Sequence, residues 1–214
     1  MKPAILIFIG FSVSFISSLF LTPYPFSFVV KSIPIFALAY LMINQVKSKT
    51  GVLLMMGLLF SASGDIFLDL DRSNYFVQGL GSFLMAHIFY TVAFIRESRF
   101  DKSRIPLAMG IIILTGIMVS LVFPNLGNMK IPVTGYIFII SLMGVMAAFL
   151  KGNSLKVFLG ACLFLFSDSI IAVDKFLTPV PYSPFIIMIT YYLAQYNITT
   201  GMIKHCTTNN TRLY

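Results

Sequence analysis

The sequence predicts an all-α membrane protein: a polytopic bundle of eight transmembrane helices forming one domain over residues 1–214. Three observations carry that class. Only 10% of the 214 residues are charged and 58% are hydrophobic, whereas a soluble domain carries about 25% charged residues. Mean hydropathy is +0.92. The apolar residues also gather into eight runs of about 20, the length that crosses ~30 Å of hydrocarbon at ~1.5 Å per residue.

The first run, Ala4–Leu21, follows Lys2 and has the outline of a secretory leader. It is span-length and shows no small-residue cleavage pattern, so it is expected to be the first membrane helix. Phe26–Asn44 and Thr50–Leu70 follow, separated by the polar turn Lys47-Ser48-Lys49. Asp71-Arg72-Ser73-Asn74 leads into Tyr75–Ile95, and a basic stretch separates that run from Ile105–Phe123. Ile131–Leu150, Lys156–Phe176 and Pro184–Ile203 complete the set. Proline turns, Thr22-Pro23-Tyr24-Pro25 and Thr178-Pro179-Val180-Pro181, punctuate the chain. Connections this short put sequential helices side by side and antiparallel.

Basic residues set the expected orientation. Eleven lie on one side (Lys2, Lys47, Lys49, Arg96, Arg99, Lys102, Arg104, Lys151, Lys156, Lys204, Arg212) and four on the other (Lys31, Arg72, Lys130, Lys175). Positive charge collects on the cytoplasmic side, so both termini are expected there, and the sequon Asn209-Asn210-Thr211 should stay bare. The net charge of +8 thus reports topology rather than nucleic-acid binding. A weak internal repeat accompanies this order. Gly57 precedes Asp65 as Gly160 precedes Asp168, and Asp71-Arg72 follows the first acid as Asp174-Lys175 follows the second. Both runs point outward, so a parallel four-plus-four repeat would set Asp65 and Asp168 on opposite walls of one cavity.

Ionisable groups inside spans are costly and mark functional sites. Asp65 and Lys31 fall roughly 7 Å from the outer ends of their runs by helical rise, and Asp168, Tyr191 and Tyr192 about 10–12 Å from that face. His87 and Gln195 lie nearer the middle. Each also has a plainer reading. Lys31 could snorkel outward or pair with an aspartate, and Asp65 could hydrogen-bond Ser61 as helix glue. Asp69 and Asp71 read as a helix end among headgroups. Gly79/Gly81/Ser82 and Gly144/Ala147/Ala148 read as close helix packing. Two cysteines, Cys162 and Cys206, make no disulfide framework. Two histidines without a paired-ligand spacing argue against a zinc site, and no Gly-x-Ser-x-Gly nucleophile motif is present. No metal or cofactor is expected.

Five pieces in order carry a resemblance: Lys31-Ser32-Ile33-Pro34-Ile35-Phe36, Phe60-Ser61-Ala62-Ser63-Gly64-Asp65, Tyr75-Phe76-Val77-Gln78-Gly79 through His87-Ile88-Phe89-Tyr90, Phe166-Ser167-Asp168, and Pro179-Val180-Pro181-Tyr182 through Tyr191-Tyr192-Leu193-Ala194-Gln195. With these pieces at this spacing, nearly the whole chain resembles the lysoplasmalogenase-like membrane proteins, the YhhN family, and looks like its animal branch. The resemblance implies an eight-helix fold and hydrolysis of the vinyl ether bond of a lysoplasmalogen. The products would be a fatty aldehyde and glycerophosphocholine or glycerophosphoethanolamine. It also implies residence in the endoplasmic reticulum membrane. The partners are then a lysophospholipid substrate and membrane lipids, with oligomeric state left open.

The chemistry fits these residues. An enol ether is hydrolysed by protonating its β-carbon, which leaves an oxocarbenium ion that water captures. That requires a carboxyl still protonated near neutral pH and an anion to steady the cation. Burial and a neighbouring like charge favour the protonated form of a carboxylic acid, and such pairs divide into acid and anion, as glycosidase carboxylates do. Asp65 and Asp168 are the expected pair, in either order. Lys31 would hold one of them ionised or bind the substrate phosphate, and His87 would position the water. Tyr191, Tyr192 and Gln195 would contact substrate. The rival reading is a small transporter or lipid-binding protein whose acids relay protons or hold a ligand. A structural membrane protein with satisfied polar contacts is the third.

Overall fold

The computed structural model describes residues 2–22, 24–152 and 154–210, with the side chains of 209 and 210 excepted. Pro23 of the first proline turn, the side chains of the Asn209 sequon and Arg212 therefore lie outside the described residues. Among the described residues the chain forms eight α-helices and no strand: α1 Lys2–Ser18, α2 Ser27–Gln45, α3 Lys49–Leu70, α4 Phe76–Glu97, α5 Ile105–Val122, α6 Lys130–Ala148, α7 Leu155–Phe176 and α8 Ser183–Asn210. Local chemistry sets the ends. Ser48 caps α3 by accepting the Gly51 N–H at 3.3 Å, a bond that satisfies one of the first-turn amides. Pro106 enters α5 in its first turn, where its missing N–H costs nothing.

Seven of these helices are long and apolar enough to cross a membrane, and the chain is a multi-pass membrane protein. The eighth, α8, is the longest at 28 residues. Tyr191, Tyr192, Gln195, Asn197, Thr199 and Thr200 interrupt its apolar character at mid-length. It also runs to Asn210 rather than ending near Ile203.

Contacts divide the chain into two compact units, Met1–Ala93 with Met202–Tyr214, and Phe94–Gly201. In the first, α2 packs against both α1 and α3, and α3 meets α4 through glycines. A Cβ at Gly57 would lie 2.4 Å from the Tyr90 ring, and one at Gly64 2.6 Å from the Phe83 ring. Gly79 of α4 likewise abuts Leu68. The core of this unit is Phe15, Ile35, Leu38, Met42, Leu54 and Leu58, each at most 2% exposed.

In the second unit, α6 packs on α5 and α7. Gly144 of α6 lets Leu165 and Ile111 approach, and Gly160 of α7 lies against the α8 backbone, 2.9 Å from the Ile198 nitrogen to a built Cβ. Gly57 and Gly160 thus do the same work, each opening the helix that carries an aspartate to close approach by the next helix. Of the small residues expected to pack, Gly81 differs: a Cβ built there would meet open space. The turns preceding α2 and α8 share the pattern Thr-Pro-X-Pro-aromatic-Ser and hold their aromatics, Phe26 and Tyr182, at φ of 63° and 58°.

Candidate functional site

The first unit concentrates its charge where α2 begins and α3 ends. Ser27 and Lys31 stand four residues apart on α2, and Asp65 and Asp69 four apart on α3. Such pairs share one helix face. The antiparallel hairpin closed at Val46–Ser48 brings the two faces together as a ladder. The Ser27 hydroxyl donates to Asp69 Oδ2. Lys31 Nζ lies 3.7 Å from Asp65 Oδ1 and 3.9 Å from Asp69 Oδ1, with its ammonium over the Phe15 ring of α1 at 5.9 Å. Side-chain exposure is 11% for Lys31 and 3% for Asp65, so this ion pair is buried. Lys31 therefore pairs rather than snorkels.

Further along the two packed helices, Ile35, Leu38 and Met42 of α2 and Ser61, Leu58 and Leu54 of α3 are all buried. Asp69 departs from its expected place among headgroups. Its side chain is 12% exposed because Ser27 and Lys31 hold it in the ladder. Asp71, two residues on, does face out. It accepts the N–H groups of Ser73 and Asn74 at 2.9 and 3.0 Å and the Asn74 amide at 2.7 Å. Those bonds, Asn74 foremost, hold its carboxyl below the usual aspartate range.

His87 is wholly buried on α4, its ring 6.5 Å from that of Tyr90. The α3–α4 contacts Gly64–Phe83 and Gly57–Tyr90 put it level with Phe60 and Ser61. Ser61 is also wholly buried, and its hydroxyl has no hydrogen-bond partner among the described residues. The Ser61–Asp65 bond of the plainer reading is therefore not made.

In the second unit, Asp168 of α7 is half-buried and accepts a hydrogen bond from the Tyr136 phenol of α6. The flanking hydroxyls point elsewhere: Ser167 donates to the Ile187 carbonyl at 3.2 Å and Ser169 to that of Leu165 at 2.7 Å. On α8, Tyr191 and Tyr192 are each 3% exposed and Gln195 is wholly buried. The Tyr191 ring meets Phe164 edge-on at 5.4 Å and lies 5.5 Å from Tyr192.

The structure thus joins Lys31 to Asp65, and Tyr191 to Tyr192. It adds three residues that sequence reasoning missed. The signal for Asp69 was its four-residue spacing from Asp65, and for Ser27 the same spacing from Lys31. Tyr136 had none beyond being a phenol in an apolar run.

Comparison with known proteins gives a consistent picture. Residues 26–202 match the YhhN family. The chain is 34% identical to lysoplasmalogenase TMEM86A of Bos taurus over 194 residues, which cover 83% of this chain and 78% of that protein. It is 34% identical to lysoplasmalogenase TMEM86B of Homo sapiens over 181 residues, 84% and 76% of the two chains. A lysoplasmalogenase of Mycobacterium bovis is 32% identical over 130 residues, 58% of this chain and 50% of its own. No solved structure matches.

Proposed function

The chain belongs to the YhhN family, and from that premise we propose that it is a lysoplasmalogenase. It takes an alkenyl-glycerophosphocholine or -ethanolamine from the membrane and adds water across the vinyl ether. The products are a fatty aldehyde and the glycerophospho-alcohol. The observation that carries this reading is the 34% identity to a lysoplasmalogenase over 83% of the chain. The buried Lys31–Asp65 pair supports it, because a buried charge cluster in a span marks a functional site.

The reaction begins with transfer of a carboxyl proton to the β-carbon of the enol ether. The resulting oxocarbenium ion is steadied by a carboxylate and captured by water, whose proton returns to the acid. The hemiacetal then collapses to aldehyde and alcohol. Asp65 and Asp168 divide the roles of acid and anion. Lys31, with Asp69 and Ser27 locking its position, fixes the charge state of its cluster. His87 orders the water, and Tyr191, Tyr192 and Gln195 contact the lipid. The chain acts as one domain in the endoplasmic reticulum membrane with both termini in the cytosol.

Substrate selectivity tests the reading. Purified protein given the alkenyl lysolipid should release aldehyde and glycerophospho-alcohol in equal amounts. Ester and saturated alkyl ether analogues cannot form the cation by carbon protonation, so they should inhibit without turnover. Comparable fatty-acid release from the ester would make the protein an acyl hydrolase instead.

A further inference from the structure

Many serine and threonine hydroxyls in these helices bond back to the carbonyl one turn earlier. Ser63 does so to Leu59 at 3.1 Å, Thr91 to His87 at 2.7 Å, Ser141 to Ile137 at 2.6 Å and Ser169 to Leu165 at 2.7 Å. Ser61 does not. It is 0% exposed, and its Oγ is one of three buried hydroxyls without a protein partner among the described residues, beside those of Ser12 and Thr199. A buried hydroxyl left unmatched is costly, and such a group is a natural partner for a bound water.

Other polar groups converge on this layer of the first unit. Asp65, ion-paired to Lys31 at 3.7 Å, is one turn away on the same face of α3, where side chains four apart are neighbours. Pro34 lies buried inside α2. A proline has no N–H to give, so the Val30 carbonyl lacks its helical donor from residue 34. The α3–α4 register sets His87 at the same level. Along α2, α3 and α4 the buried Ser61 hydroxyl, the Asp65 carboxylate, the freed Val30 carbonyl and the His87 imidazole thus fall within about two helical turns of one another by position, in helices whose neighbouring Ile35, Leu58 and Ala62 are buried and apolar. A buried water needs two to four such partners (about three is typical).

We propose that Ser61 binds the water that captures the oxocarbenium ion. This rests on the vinyl ether hydrolase reading given above. The water donates one hydrogen to Asp65 and the other to Ser61 Oγ, so its lone pairs face the cation. As the new C–O bond forms, the proton facing Asp65 leaves along that hydrogen bond. The hemiacetal is left neutral, and the proton lost to the carbon is restored to the protein.

Partition between water and a competing nucleophile tests this directly. The purified full-length chain in detergent is given synthetic alkenyl-glycerophosphocholine in water containing methanol. Capture by water yields aldehyde. Capture by methanol adds CH3O to the cation and yields the mixed acetal, with no oxidant or reductant involved. Ser61→Ala removes the hydrogen bond and opens room for a methyl group, and Ser61→Cys removes most of the hydrogen bond at nearly the same volume.

Both variants should raise the acetal-to-aldehyde ratio about three- to tenfold, the weight of one hydrogen bond of ~1 kcal/mol. Neither should melt below the wild type, because no protein hydrogen bond is lost. An unchanged ratio in both variants, or a variant that melts well below the wild type, overturns the water site. Absence of any product from the wild-type chain overturns the enzyme reading instead, which separates the two failures.

Discussion

Replacing Lys31 with methionine is expected to strike the first unit at its most strongly coupled point. Lys31 Nζ sits 3.7 and 3.9 Å from two carboxylates. At an effective dielectric of about 20, each attraction is worth about 4 kcal/mol before desolvation is subtracted. The groups are nearly out of solvent, at 11% exposure for the lysine and 3% for Asp65, so surface screening does not discount them. Removing one member of a buried pair costs about 3–5 kcal/mol, because the remaining charges lose their partner.

For a chain of this size ~1 kcal/mol moves the midpoint by about 2–4 °C, so Lys31→Met should melt roughly 10 °C below the wild type in detergent. The combination Lys31→Met, Asp65→Asn and Asp69→Asn carries no charge in the ladder. It should recover most of that loss, since neutral replacements of a buried ion network are often well tolerated. Thermal melting with size-exclusion monodispersity on the same samples provides both numbers. A Lys31→Met protein within about 1 kcal/mol of wild type, or a triple variant as unstable as the single changes added together, would refute the ladder's energetics.

Three further outcomes follow from the same geometry. Asp65→Asn and Asp168→Asn should each abolish most aldehyde release while the double variant loses little more, because groups acting as a unit are non-additive. The exposed Asp101→Asn, whose carboxylate only caps a short turn at Ser103, is the control that should keep full activity. Gly57→Ala should destabilise the protein by about 1–3 kcal/mol through overpacking, since the added carbon would sit 2.4 Å from the wholly buried Tyr90 ring; a melt unchanged from wild type would show that α3 and α4 do not meet there. Asn209 should carry no glycan in microsomes, and glycosylation at that residue would reverse the proposed orientation.

The helices were legible because their cause is local. An apolar run of about 20 residues bounded by turn chemistry has one stable outcome in lipid, and the expected boundaries of α1 to α7 agree with the structure within a few residues. The end of α8 was harder. Lys204 to Asn210 are polar enough to suggest an exit from the membrane, but they are compatible with helix, and helix continues.

The site was half legible. Asp65 and Lys31 stood out as ions where ions are costly, yet their pairing depends on which faces of α2 and α3 meet. That follows from the antiparallel register about the Val46–Ser48 turn, which periodicity alone does not fix. Asp69 was misjudged for the same reason: nearness to a helix end suggested water, whereas Ser27 and Lys31 on the neighbouring helix claim it. The Tyr136–Asp168 contact spans α6 and α7, and no local pattern announces a bond between side chains so far apart in sequence.

Isotope incorporation tests the vinyl ether chemistry most directly. The purified chain is given alkenyl-glycerophosphocholine in heavy water, and the aldehyde is reduced to the alcohol as it forms. Carbon protonation by a solvent-exchanged carboxyl predicts one deuterium on the carbon next to the former carbonyl in every product molecule. Aldehyde released without that deuterium would contradict protonation at carbon, and with it the roles given to Asp65 and Asp168.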